Sequence, residues 1–215
     1  MDDSKKLSRD LRDIKQMMER SSRFISLSGL SGISAGICAL IGVFFARDAI
    51  EKNRSAVSDL GKSFSDTDTI LHGDFFNSTL IRIAALTFLG ALASAFLFTY
   101  RRSQRTNTPI WGYTAKRLLI NVAIPIVAGG IFLLALINNK VFGFVAPGCL
   151  IFYGLGILNA SNYTLSETRY LAYGEILLGV INLFFPVQGL YFWAAGFGVL
   201  HILYGIFMWW KYERN

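Results

Sequence analysis

Charge is what this sequence has least of. Only 16% of its 215 residues are Asp, Glu, Lys or Arg, against about a quarter in a soluble domain, too few to clothe a globular surface. Cysteine is nearly absent too. The two present, Cys38 and Cys149, lie far apart inside apolar stretches, so they read as free buried thiols, and a disulfide scaffold is excluded. Two histidines and two cysteines in no recognisable ligand spacing give no metal site and no cofactor. Four prolines leave long stretches unbroken. Apolar residues fill the composition instead, at 53%, with a mean hydropathy of +0.44. Soluble enzymes, disordered chains and fibrous proteins do not look like this.

The apolar residues are gathered into runs. A bilayer core of ~30 Å needs about 20 apolar residues at 1.5 Å rise each. Six stretches qualify, at 24–46, 80–100, 118–137, 141–159, 171–185 and 190–210, the fifth of them short. Asn138-Asn139-Lys140 and Pro186-Val187-Gln188-Gly189 have the chemistry of tight turns between antiparallel helices. Pro125 and Pro147 fall inside apolar runs, where a kink is expected. The expected fold is therefore all-α: a polytopic bundle of six transmembrane helices over 24–210, behind an N-terminal helix at 1–23 and ahead of a short tail at 211–215.

Six spans put both termini on one side, and the basic residues say which. The tail 1–23, the connection from Arg101 to Arg117, and Arg169, Lys211 and Arg214 hold fifteen of the 21 Lys and Arg. The other face has Arg47, Lys52, Arg54, Lys62, Arg82 and Lys140. The positive-inside rule makes the first face cytoplasmic, and Trp111, Trp209 and Trp210 fall at the same boundary as an interfacial belt would. The net charge of +7 is then a matter of topology, with no nucleic acid implied.

Residues 4–20 read as an amphipathic helix, with Leu7, Leu11, Ile14 and Met18 in one stripe among basic residues. Such a helix lies in anionic headgroups or docks a cytoplasmic protein. The external loop 47–79 has six acids against four bases, with Asp66, Asp68, His72 and Asp74 in its second half. Those residue types are also ordinary loop residues, and their spacing matches no binding loop.

Within the first span, Ser28, Gly32, Ala35, Ala39, Gly42 and Ala46 repeat at spacings of four and three, a seam of small residues that lets helix backbones approach closely. Its partner is another helix of the bundle or a second copy of the chain. Intramembrane ionisable residues are costly and are candidate sites by default; there are two, Glu175 and His201. Glu175 lies six residues past Arg169, ~9 Å in, and His201 ten before Lys211, ~15 Å in. Adjacent antiparallel helices would bring the two within a turn of each other in depth, as a proton-sensitive or cation-binding pair or as one buried hydrogen bond. Asn121, Asn159 and Asn182 add amides to the expected polar interior. Gly29-Leu30-Ser31-Gly32 matches the G-x-S-G of intramembrane serine proteases of the rhomboid family, but that serine lies in the fourth core helix near the external side. Here it lies in the first span near the cytoplasmic face, so no catalytic residue is assigned and no enzyme is expected.

The block Met17-Met18-Glu19-Arg20-Ser21-Ser22-Arg23-Phe24, followed by Leu27-Ser28-Gly29-Leu30-Ser31-Gly32, resembles the start of a family of uncharacterised six-span membrane proteins of Bacteroidota-type bacteria. The resemblance covers roughly residues 11–46 and implies a bacterial inner membrane with no assigned activity. The functional expectation is a non-enzymatic regulatory or sensor module docking a cytoplasmic partner through residues 1–23. The alternative is a small-solute transporter or substrate-binding membrane subunit. The bilayer itself, that partner, and a second copy through the first span are the expected contacts.

Overall fold

A computed structural model describes residues 28–59, 79–106 and 111–214. The amphipathic helix expected at 4–20, and Asp66, Asp68, His72 and Asp74, lie outside the described residues. Every regular element among the described residues is helical: α1 (Gly29–Asp59), α2 (Ile81–Thr106), α3 (Tyr113–Asn138), α4 (Val145–Ala160), α5 (Thr168–Leu183) and α6 (Pro186–Tyr212). Five helices are long and apolar enough to cross a membrane, all but α5. That helix has 16 residues, ~24 Å at 1.5 Å each, short of the ~30 Å core.

Helix α1 packs against α2 on one side and α6 on the other, α6 lies over α4 and α5, and α4 packs on both α5 and α3. The outermost helices, α2 and α3, turn large apolar side chains outward: Leu86 is 70% exposed and Leu134 65%. That pattern suits lipid and not water.

The ends gather as antiparallel helices require. At the basic end, Arg102 Nη1 is 2.9 Å from Glu213 Oε1, Lys211 Nζ 2.6 Å from Glu167 Oε1, and Arg169 Nε 3.2 Å from Ser161 Oγ. The start of α1 belongs to the same knot. Ser28 Oγ donates to Glu213 Oε2 at 3.1 Å, and the Gly29 N–H donates to Oε1 of the same carboxylate. A carboxylate there satisfies an amide that no helical carbonyl can reach and complements the positive end of the helix dipole.

Two local expectations change, and a third is narrowed to one of its alternatives. Arg47 to Asp59, read as the opening of the external loop, continue α1 as helix. Pro147 stands in the first turn of α4, after the 3-10 turn Phe142–Phe144, where its missing N–H breaks no helical hydrogen bond and no mid-span kink is needed. The small seam of α1 is occupied within the chain. A Cβ on Gly32 would come 3.2 Å from Gly205 Cα of α6, one on Gly42 would strike Thr87 of α2, Ser28 is held by Glu213, and Ala39 is buried.

The closest approach uses two further glycines. A Cβ on Gly205 would lie 2.6 Å from Gly29 O, and one on Gly36 2.7 Å from Gly198 O. Gly29 and Gly36 are seven apart, as are Gly198 and Gly205, so the antiparallel pairs α1 and α6 at two points of backbone contact. In lipid such small-residue contacts carry helix association, because burial from water is not available to drive it.

The turn after α3 is a Schellman closure. The Lys140 N–H bonds Ile137 O at 3.0 Å and the Val141 N–H bonds Leu136 O at 2.9 Å, with Lys140 at φ 61°, where glycine is usual.

Candidate functional site

The two ionisable residues expected inside the membrane meet. Glu175 is fully buried on α5, and His201, 5% exposed, is on α6; Glu175 Oε1 lies 3.2 Å from His201 Nδ1. The other ring nitrogen, Nε2, is 2.7 Å from the hydroxyl of Tyr153 on α4. Three helices thus converge on one imidazole.

Local backbone makes this convergence. Residues Ala194–Leu200 form a π-helical stretch immediately before His201, a widened turn of the kind that recurs at functional positions. Within it, Gly196 O lies 3.1 Å from His201 Nδ1, and a carbonyl can only accept, so Nδ1 carries the hydrogen in that bond. A Cβ on Gly196 would fall 2.6 Å from Glu175 Oε2; only glycine lets α6 approach the carboxyl group this closely. Because the ring N–H is directed at Gly196 O, neither Glu175 oxygen receives a hydrogen bond among the described residues, and the 3.2 Å contact to the ring is electrostatic. Leaving a buried carboxylate so under-bonded costs several kcal/mol, which ties its tolerance to the imidazole beside it.

Tyr153 and His201, with Glu175 sealed behind them, form the inner end of a cleft of about 240 Å³ to which all six helices contribute: Ser31 of α1, Ala95 of α2, Leu118 of α3, Tyr153 of α4, Thr168 of α5 and His201 of α6. The cleft reaches toward the basic end, where a second polar group lines it. Thr164 Oγ1, 1% exposed, lies 3.2 Å from both Ala160 O and Thr168 Oγ1, and Thr168 Oγ1 is 3.0 Å from Tyr204 Oη. Hydroxyls from the α4–α5 connection, α5 and α6 thus continue the polar line from His201 outward. The remaining lining is mostly aliphatic or glycine, so the cleft presents a few placed hydrogen-bonding groups in an apolar wall, as small-molecule sites do.

Ser31 does not join His201. Its Oγ bonds Ser28 O at 2.5 Å, and both ring nitrogens of His201 are engaged elsewhere, so the protease-like tetrapeptide builds no nucleophile–base pair. Asn121 is half-buried and Asn159 exposed. Asn121 Nδ2 bonds Arg117 O at 2.8 Å within its own helix, and the exposed Asn159 reaches Asn121 O at 3.4 Å. Position along a span did not reveal which helix face either occupies. Asn182 is fully buried, yet at the far end of α5, where its Nδ2 bonds Phe185 O at 2.9 Å and closes the helix.

The reading of residues missed Tyr153, Thr164, Thr168 and Tyr204. The repeated Tyr-Gly at 153–154 and 204–205 was the available signal. In each, the glycine admits a neighbouring helix, Ala172 and Ile176 of α5 against Gly154 and Gly29 of α1 against Gly205, and the adjoining tyrosine lines the cleft.

At the basic end, Glu167 is set apart by its ionisation. Burial opposes its charge, but hydrogen bonds from Lys211, the backbone and Tyr212 outweigh that and hold the carboxyl down to about 2. It anchors the end of α6 beside the cleft. Among the described residues no group of three His, Cys, Asp or Glu could hold a metal ion. Comparison with protein-family models, with curated proteins and with solved structures finds no match.

Proposed function

We propose that this chain is a small-solute transporter or substrate-binding subunit of a bacterial inner membrane, with the six-helix cleft as its ligand site. In this reading α5 completes six spans, its short length offset by the polar connection from Ser161 to Glu167, and both termini are cytoplasmic by the excess of Lys and Arg at the basic end. The observation that carries the reading is the cleft itself. It collects one wall residue or more from every helix and ends on Tyr153 and His201, behind which Glu175 is buried, near the depth at which transporters bind their substrates.

The test is extraction of the full chain from native membranes in mild detergent, followed by mass spectrometry of whatever small molecules remain bound and thermal-shift screening of solutes. The expected result is a bound metabolite or a stabilising solute whose effect falls in Tyr153→Phe and Thr168→Val. Protein that carries nothing and responds to nothing refutes the proposal.

The regulatory docking module expected from residues 1–23 rests on residues outside the described ones, and no feature of the bundle favours it over the cleft. A stoichiometric soluble protein in the same extract, lost on deletion of residues 1–23, would restore it.

A further inference from the structure

We infer that Glu175, His201 and Tyr153 form a proton-binding site at the inner end of the cleft, loaded through the cleft from the basic end. The inference deepens the reading of the cleft as a ligand site, with the proton as its second ligand.

The argument starts from the chain of contacts. Tyr153 and His201 both line the cleft, whereas Glu175 behind them is sealed from it at zero exposure. Among the described residues the polar route to the carboxyl group runs through the ring, from Tyr153 Oη to Nε2 at 2.7 Å and from Nδ1 to Glu175 Oε1 at 3.2 Å. The outer hydroxyls of Thr164, Thr168 and Tyr204 line the path from the basic end. A volume of about 240 Å³ equals roughly eight waters at ~30 Å³ each, enough to join the two polar groups.

The step balances without any co-reactant. With Glu175 ionised and His201 neutral, Nδ1 bears the ring hydrogen and Nε2 accepts from the tyrosine hydroxyl. A proton arriving from the cleft binds Tyr153 Oη as the tyrosine passes its own to Nε2. The ring in turn swings its Nδ1 hydrogen from Gly196 O to Glu175 Oε1, 3.2 Å away, and gives it up there. The site ends with a carboxylic acid, an intact tyrosine and a neutral imidazole whose hydrogen has moved to Nε2. One negative charge has been removed from the middle of the membrane, where charge is expensive.

The surroundings leave the trio in control of that charge. Of the elements packed on α5, α4 brings Tyr153, with Cys149 one turn beyond it, and α6 brings His201 and Tyr204; Tyr191 of α6 is 67% exposed. Glu167, Arg169, Lys211 and Glu213 all lie at the basic end, each engaged there.

The experiment needs no solute, so its failure is distinct from failure of the solute-binding reading. The full chain is reconstituted in lipid nanodiscs and titrated by infrared difference spectroscopy, following the carbonyl stretch of a buried carboxylic acid. A band that appears on acidification, is absent in Glu175→Gln, and shifts its midpoint in His201→Gln, which removes the imidazole that accepts from the protonated acid, supports the site. A second measurement uses the unaltered protein. With ¹⁵N-labelled histidine only two residues report, and His201 must exchange its ring hydrogen between nitrogens, or gain one, over the same pH range. A carboxylic band that survives in Glu175→Gln, or a His201 ring unchanged while the band titrates, overturns the inference.

Discussion

Replacing Gly205 by alanine tests the α1–α6 contact that frames one wall of the cleft. The new methyl would sit 2.6 Å from Gly29 O, 2.6 Å from Ile33 N and 2.8 Å from Ile33 Cγ1. Two of those three atoms are backbone, so no rotamer change relieves them. Restoring ordinary contact at ~3.5 Å requires the helices to part by about 1 Å. Overpacking of that kind costs roughly 1–3 kcal/mol. The bundle supplies its own control, because a Cβ on Gly90 of α2 or Gly130 of α3 meets nothing within 4 Å. There the change only improves helix propensity, by up to about 1 kcal/mol. Thermal unfolding in detergent, followed by tryptophan fluorescence, should therefore rank Gly90→Ala and Gly130→Ala at or above the parent and Gly205→Ala clearly below it. Separation at Gly205 also pulls Gly29 from Trp209 and loosens the Glu213 knot, so trypsin should release the C-terminal tail faster in this variant alone. Gly205→Ala as stable as Gly90→Ala would refute the backbone-contact reasoning.

Other consequences follow from the same geometry. Lys140→Gly should stabilise the protein by roughly 1 kcal/mol, since Lys140 sits at φ 61° where a side chain is penalised; no gain in melting temperature would count against the Schellman closure. Glu213→Gln removes the ion pair to Arg102 and weakens the cap on α1, a loss of roughly 1.5–3 kcal/mol for charge-assisted bonds, measurable as earlier unfolding and faster cleavage after Lys211. Glu167 is held at about 2 against an ordinary 4.5, so its contribution to stability is complete above about 4.5 and is lost as the pH falls toward 2. Glu167→Gln should flatten the acid limb of a stability-against-pH curve, and parallel limbs in parent and variant would dismiss the anchor.

Much of the frame could be read from residues because lipid imposes a length and a composition on each helix. The expected stretches at 80–100, 118–137, 141–159 and 190–210 each match a helix that begins or ends within a few residues of them. The short stretch at 171–185 is the helix that falls below spanning length. Depth along adjacent antiparallel helices left a Glu175–His201 contact open without requiring it, and the structure brings the two to 3.2 Å. What depth could not supply was the helix face, so Asn121 and Asn159 were placed inside, whereas Asn121 is half-buried and Asn159 exposed. Isolated threonine hydroxyls carry no periodic signal, which is why Thr164 and Thr168 were missed. The seam of small residues pointed to close approach but not to its partner. Gly29 and Gly36 matched in spacing by Gly198 and Gly205 would have named α6 before any coordinates.

The short helix and the polar line have a common origin. Under the proposed six-span reading, a helix of 16 residues would leave ~6 Å of a ~30 Å core unfilled, with the turn from Ser161 to Glu167 filling part of it. Irregular backbone is tolerated at such depth only where protein or a water-filled cavity surrounds it. Ser161 at 4% and Thr164 at 1% exposure are walled in by their neighbours, and Thr164 and Thr168 face the cleft. An α5 one turn longer, with the turn inserted before Thr168, would carry Ser161 and Thr164 out toward the headgroups and break the line of hydroxyls that leads to His201. The deficit in α5 is therefore what brings a hydrogen-bonding path toward mid-membrane depth. The π-helical stretch of α6 and Gly196 then place the imidazole and the carboxyl group at its end. Lengthening α5 by one apolar turn after Glu167 should preserve the fold of α1, α2 and α6 while abolishing solvent access to His201, readable as loss of hydrogen–deuterium exchange at its ring; exchange that persists would mean the path to the imidazole runs elsewhere.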